Sequence, residues 1–307
     1  MPAKVFIDGE AGTTGLQIRE RLSSVSGITV LSIPPHKRKE ASERANLMRD
    51  ADLAVLCLPD DAAKEAVALA ATLGPEAPKI IDASTAHRVS PDWVYGFAEL
   101  DAAQENLIRN ARHVANPGCY PTGAIALLRP LIDAQLMPPD FPVTVNAVSG
   151  YSGGGKSMIE TFEVSKTAPD FELYALGLEH KHVPELMRYA GLTRRPIFVP
   201  GVSNFKQGML VSIPLHLDML PGKPNISDLQ NALAAHYRGS KWVRVVENAA
   251  TLSRIEPQAL NNSDKLELFV FGKSSLNHAV LIARLDNLGK GAAGAAVQNL
   301  KLMLGLC

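Results

Sequence analysis

Cysteine is scarce in this chain: its 307 residues include three, Cys57, Cys119 and Cys307, an odd number at wide spacing. Such a count fits neither a disulfide framework nor a paired-cysteine metal site, so no metal is expected and a reducing cytoplasm is the expected compartment. Long apolar runs are missing as well, none approaching the roughly 18 residues of a membrane span. Neither sign of charge is in excess, with lysine plus arginine and aspartate plus glutamate at 31 each. A balanced chain has no global field to draw it to nucleic acid or an anionic membrane, so any anion must be met by a local site. Internal repeats, a low-complexity linker and a charged tail are also absent. The first residues, Met1 to Gly9, run directly into a strand-like pattern without the basic start and apolar stretch of a leader.

What the chain does have is apolar material, 46% of its residues, enough for a sizeable core. At roughly 100 to 200 residues per domain, its length suggests two domains. In the first third, strand-like runs at Lys4 to Asp8, Thr29 to Ile33, Leu53 to Leu58 and Lys79 to Asp82 alternate with helical spacing at Leu16 to Val25, Ala41 to Arg49 and Asp61 to Leu73. Runs such as Ala54-Val55-Leu56-Cys57-Leu58, apolar on both faces, indicate a parallel sheet covered on both sides, a doubly wound α/β domain. From about residue 143 the rhythm changes: Val143 to Val148, Met209 to Leu217, Lys265 to Phe271 and His278 to Leu285 read as strands without a helix between each pair. That pattern, with a helix at Ile226 to Tyr237, predicts an α+β domain on a mixed, largely antiparallel sheet. The predicted domains are residues 1–118, completed by a returning helix in 287–307, and residues 119–286.

Between the first strand and first helix lies Gly9-Glu10-Ala11-Gly12-Thr13-Thr14-Gly15, a GxxGxxG arrangement where GxGxxG is usual. A glycine turn opening a helix gives close backbone approach and a helix amino terminus for a pyrophosphate. An NAD-binding domain normally carries an acidic side chain near the end of its second strand. Here that strand ends Leu31-Ser32-Ile33-Pro34-Pro35-His36-Lys37-Arg38-Lys39. A hydroxyl and a basic cluster suit a 2′-phosphate, which Arg38 can grip in forked fashion, so NADP is favoured.

After the strand-like His113-Val114-Ala115, the turn Asn116-Pro117-Gly118 brings Cys119 to the start of a helix over Thr122 to Leu128, with Pro121 suited to its first turn. Helix-terminal N–H groups and the helix dipole lower a thiol's pKa and can also hold an oxyanion. Cys119 is thus the expected thiolate nucleophile, Cys57 reads as a core residue, and Cys307 as an inert chain end. A nucleophile needs a proton carrier, and Glu179-His180-Lys181-His182-Val183-Pro184-Glu185 offers two histidines before a helix. Glu185 either orients His182 or caps that helix. Ser149-Gly150-Tyr151-Ser152-Gly153-Gly154-Gly155-Lys156-Ser157 lacks the spacing of an ATP loop and reads as a substrate loop, with Ser152 and Gly153 as contacts.

Together these residues resemble the N-acetyl-γ-glutamyl-phosphate reductases, in their shorter branch, within the aspartate-semialdehyde dehydrogenase group. The resemblance runs along nearly the whole chain, through the Gly9 loop, Asp82 to Arg88, the Cys119 run, the Tyr151 loop, His180 to His182 and Asp286 to Gly294. It implies a Rossmann domain, a substrate domain on a mixed sheet, and a last helix returning beside the cofactor. It implies a thioester on Cys119 and acid/base work by His182, with His180 as second candidate. The pyrophosphate would meet Gly9, Gly12, Thr13, Thr14 and Gly15, the 2′-phosphate Ser32 and Arg38, and the nicotinamide Asn287. Where longer members read aspartate-phenylalanine-arginine, this chain has Ala86-His87-Arg88, so that aspartate's role does not transfer. Arg88 and Lys206 remain candidate anion contacts. The implied reaction is the NADPH-dependent reduction of an acyl phosphate in arginine biosynthesis by a homodimer or homotetramer. The alternatives are a sibling reductase of aspartyl or aminoadipyl phosphate and a non-catalytic NADP-binding redox sensor.

Overall fold

The computed structural model describes residues 1–38 and 40–306, apart from the side chain of Ala250. Lys39 of the basic run and Cys307 lie outside the described residues. The chain forms two compact units, one of Met1–Ala98, Ala102–Pro117 and the stretch from Ala292 onward, the other of Glu99–Asp101 and Gly118–Gly291.

The first unit begins with β1 (Ala3–Asp8), α1 (Thr13–Leu22), β2 (Ile28–Leu31), α2 (Ala41–Asp50), β3 (Leu53–Leu56) and α3 (Asp60–Ala71). It continues with β4 (Lys79–Asp82), β5 (Val94–Tyr95), α4 (Gln104–Asn110) and β6 (His113–Ala115). The second unit holds α5 (Cys119–Asp133), β7 (Thr144–Gly150), α6 (Gly155–Ile159), β8 (Phe171–Leu173), α7 (Val183–Ala190) and β9 (Ile197–Ser203). Then follow β10 (Met209–His216), α8 (Ile226–His236), β11 (Val243–Val245), β12 (Leu266–Lys273) and β13 (His278–Leu285). The chain returns to the first unit with α9 (Gly294–Leu304).

The six strands of the first unit lie in the order β2-β1-β3-β4-β6-β5, all parallel. Successive β1 residues point to opposite faces, and each face has its own core. Val5 and Ile7 pack with Ile18 of α1 and with Ala296, Val297 and Leu300 of α9, while Phe6 packs with Met48 of α2 and Ala66 of α3. All four residues of β3 are buried, as a strand covered on both faces requires. The small residues Gly294, Ala295 and Ala296 are buried where α9 packs beside α1 and α4.

The sheet of the second unit runs β11-β12-β13-β10-β7-β9-β8. Its β12–β13, β13–β10, β10–β7 and β9–β8 pairs are antiparallel, whereas β11–β12 and β7–β9 are parallel. The mixed, largely antiparallel sheet is therefore present. Against it lies α5, a helix buried nearly all round. A Cβ at Gly123 would stand 2.8 Å from the Val211 side chain, so a glycine lets α5 approach β10. The start of α8 is fixed by reciprocal bonds between Asn225 and Asp228, a capping box.

Among the departures from expectation, three concern α5, β9 and the return to the first unit. Helix α5 begins at Cys119 itself rather than at Thr122, because Gly118 takes the extended N-cap conformation. Strand β9 was not anticipated, since Pro200 and Gly201 weaken its strand signal. The chain returns to the first unit at Ala292 rather than at residue 287, after a π-helical turn at Gly289–Ala293.

Candidate active site

In the first unit the glycine loop leaves β1 through Gly9, whose φ of +89° favours glycine. A Cβ there would stand 2.3 Å from the Cys57 carbonyl oxygen, and one at Gly15 would stand 2.5 Å from the Gly9 carbonyl. Both glycines are thus required by the packing of the turn itself, which is of the kind that opens a dinucleotide-binding helix. Gly12 caps α1 without a side-chain hydrogen bond, and the first helical turn, starting at Thr13 and Thr14, carries no acidic residue. The amino end of α1 is consequently open to an anion. Just past β2, Ser32 lies beside Arg19 and Glu10. The Ser32 hydroxyl donates to Glu10 Oε2 at 3.0 Å, and Arg38 Nη2 is 3.5 Å from Glu10 Oε1. Cys57, just past β3, lies against the loop, and burial, then the Asp82 and Asp8 carboxylates, push its thiol up to about 12, which suits an inert thiol.

In the second unit Cys119 is the first residue of α5, partly exposed, and Pro121 two residues on has no N–H to leave orphaned. The Gly118 N–H, immediately before it, donates to Glu185 Oε1 at 2.7 Å. Glu185 is buried in the first turn of α7, so its carboxylate ties that helix to the nucleophile's. This is a third role, beyond orienting His182 or capping α7. His182 is the N-cap of α7, 8% exposed, with its ring centroid 5.9 Å from that of Tyr120 and 4.7 Å from that of His180. His180 Nδ1 accepts from the His182 N–H at 3.1 Å, which puts a neutral His180's proton on Nε2. Burial, then the Lys181 charge, push His180 down to about 4, so it is neutral at pH 7. Phe198 and Tyr174 close the cluster, with the Tyr174 hydroxyl donating to that of Tyr120 at 3.2 Å. Burial first, and Cys119 among the further causes, raise both phenols, Tyr174 to about 12. Neither Tyr174 nor the tight approach of Gly291, where a Cβ would stand 2.8 Å from Cys119 Cβ, carries a local sequence signal.

Arg88, a candidate substrate contact, is buried and donates from Nε to Asn116 O at 2.9 Å and from Nη2 to Ala83 O at 3.3 Å. Its guanidinium braces the turn after β6 rather than facing outward. Asn287, expected among the cofactor contacts, is buried in the second unit, accepting from Gly208 N–H at 2.8 Å and donating to Ser152 Oγ at 2.9 Å. Ser152 is accordingly buried as well. The N–H groups of Gly150, Tyr151 and Ser152 donate to the carbonyls of Gly208, Phe205 and Lys206, so they are committed to the protein's own backbone. Gly153 sits against Ser149 and Asn287. Lys206 is exposed and pairs with Glu163 at 3.0 Å.

A parallel-sheet unit with an open glycine turn, joined to a mixed-sheet unit bearing a cysteine at a helix start, defines a class of nucleotide-dependent oxidoreductase. Family models agree on both halves. Residues 13–108 match the semialdehyde dehydrogenase NAD binding domain, and residues 119–287 match the semialdehyde dehydrogenase dimerisation domain. The chain belongs to the semialdehyde dehydrogenase family, and within it to the N-acetyl-gamma-glutamyl-phosphate reductases. It is 55% identical to the N-acetyl-gamma-glutamyl-phosphate reductase of Sinorhizobium medicae, over 99% of each chain. It is 54% identical to that of Brucella ovis, over 99% of this chain and 100% of the other. Among solved structures, the aspartate semialdehyde dehydrogenase from Francisella tularensis superposes with a TM-score of 0.70 at 16% identity, covering 97% of this chain and 99% of that one. The Candida albicans enzyme, solved with NADP, gives 0.68 at 14% identity over 99% of each. The fold is shared, and among the described residues no helix is long and apolar enough to cross a membrane.

Proposed function

We propose that the chain reduces N-acetyl-γ-glutamyl phosphate to N-acetylglutamate γ-semialdehyde with NADPH, releasing phosphate, as a step of arginine biosynthesis in the cytoplasm. The observation that carries this is the 54–55% identity, over nearly the whole chain, with reductases of that name. Placement of Cys119 at the amino end of a buried helix supports it as nucleophile.

The Cys119 sulfur attacks the acyl carbon while His182 takes the thiol proton, and the carbonyl oxygen is held by N–H groups at the start of α5. The carbon–oxygen bond to phosphate breaks, phosphate leaves with the electron pair and the proton from His182, and a thioester remains on Cys119. Bound nicotinamide nucleotide supplies a hydride to the thioester carbon. The resulting hemithioacetal oxyanion reforms its carbonyl and expels the sulfur, which takes a proton that His182 has drawn from solvent. His182 is preferred to His180 as carrier because His180 is held neutral and offers its Nδ1 to the backbone. NADP is preferred to NAD because Ser32, Arg38 and Arg19 gather past the end of β2. A homo-oligomer is supported by the description of the 119–287 segment as a dimerisation domain.

The test is NADPH formation from N-acetylglutamate semialdehyde, NADP and phosphate, run beside aspartate semialdehyde. Turnover with the first substrate is expected, and turnover with the second alone would overturn the assignment.

A further inference from the structure

The glycine loop carries a carboxylate for which pyrophosphate binding has no use. Glu10 is buried and accepts on Oε2 from Arg19 Nη1 at 2.6 Å and from the Ser32 hydroxyl at 3.0 Å, with Arg38 Nη2 3.5 Å from Oε1. Arg19 Nη1 also donates to Ser32 Oγ at 2.7 Å, closing a ring of three side chains. The nearby Arg44 is committed elsewhere, donating to Asp8 Oδ2 at 2.9 and 2.6 Å. Two guanidinium groups and a hydroxyl are what a ribose 2′-phosphate would be met by, and in this structure an internal anion sits among them.

We propose that Glu10 sets the nucleotide preference of this chain, occupying the Arg19–Arg38 cradle that a 2′-phosphate would enter and accepting from the 2′-hydroxyl of a nucleotide that lacks one. The inference rests on the 2′-phosphate reading of Ser32 and Arg38. Rossmann domains that hold NAD place an acidic group near the end of the second strand. Here that place is reached from the glycine loop instead, since Ser32, just past β2, bonds to Glu10. A 2′-phosphate brought into the cradle must draw both arginines from Glu10 and sit beside a like charge, and a 2′-hydroxyl meets neither obstacle. Discrimination is therefore held below what two arginines could deliver.

The test is direct measurement of dissociation constants for NADPH and NADH, by calorimetry or fluorescence, in the wild type, Glu10→Gln and Arg38→Ala. Glutamine keeps the shape and a carbonyl acceptor for Arg19 and Ser32 but removes the charge. Glu10→Gln is expected to tighten NADPH by about tenfold and to weaken NADH, raising the preference for NADPH, as removal of a like charge requires. Glu10→Asp keeps the charge on a shorter stem and is expected to raise the preference less. An unchanged preference in Glu10→Gln, or equal weakening of both nucleotides in a variant with a wild-type melting transition, would overturn the role of Glu10. A wild type that binds NADH as tightly as NADPH, with Arg38→Ala leaving NADPH affinity unaltered, would overturn the underlying 2′-phosphate reading instead.

Discussion

A methyl group added at Gly291 would lie 2.8 Å from Cys119 Cβ and 3.2 Å from its Cα, with the Asp286 carbonyl at 3.1 Å. Ordinary contact begins at 3.4 Å, so a shift of about 0.6 Å is needed at the first of these atoms. None of the three is the loose end of a flexible side chain, so the strain falls on the first residue of α5. Overpacking of this kind costs about 1 to 3 kcal/mol, which for a chain of this size lowers the melting temperature by roughly 2 to 6 °C. Because a misplacement of about 1 Å at a reacting group costs about 100-fold in rate, Gly291→Ala is expected to lose about tenfold or more in kcat. NADPH affinity should hold, since Gly291 lies outside the glycine loop. Steady-state kinetics, a melting curve and the rate of Cys119 alkylation by iodoacetamide read all three effects. Wild-type kcat and alkylation rate in Gly291→Ala would refute the view that close backbone packing positions the sulfur.

Two further perturbations address the groups around the cysteine. The folded His180 is pushed to about 4 from 6.5, so between those values the unfolded chain binds more protons and stability rises with pH. The difference is about 3 kcal/mol at 1.36 kcal/mol per unit, reduced by solvent screening to about 1 to 2. Urea unfolding at pH 4 to 7 should show this slope in the wild type and lose it in His180→Asn, and identical slopes would contradict it. Removing the buried Glu185 carboxylate strands the Gly118 N–H, so Glu185→Ala should cost about 1 to 3 kcal/mol, whereas Glu185→Gln, which keeps an acceptor oxygen, should cost clearly less. Equal losses would show that the bond to Gly118 does not hold the helix start.

Much of this site was legible in the sequence because its signals are local. The Gly9 loop sits between a strand and a helix, and Cys119 follows a turn and precedes an apolar helix, so a few neighbouring residues identify each. The parallel sheet was legible for the same reason, its strands being short apolar runs separated by helical spacing. What was not legible is contact at a distance. Nothing near Glu185 announces that its carboxylate will reach Gly118, 67 residues earlier in the chain, and nothing near Arg19 announces Glu10 and Ser32. An arginine in a polar run reads as an anion contact, and nothing local to Arg88 announces that its guanidinium will meet the carbonyls of Asn116 and Ala83. Nor does anything near Asn287 announce the bonds of its amide to Gly208 and Ser152. Strand β9 was hidden by Pro200 and Gly201, residues that strand patterns exclude on propensity and that packing overrides here.

The proposed reaction turns on an acyl group carried by Cys119, and acid-quenched mass spectrometry of the protein mixed with N-acetyl-γ-glutamyl phosphate in the absence of NADPH tests that directly. The expected result is an N-acetylglutamyl adduct on the peptide containing Cys119, absent from Cys119→Ser and discharged when NADPH is added before the quench. An adduct on another residue that NADPH discharges, or turnover by Cys119→Ser at the wild-type rate, would contradict it.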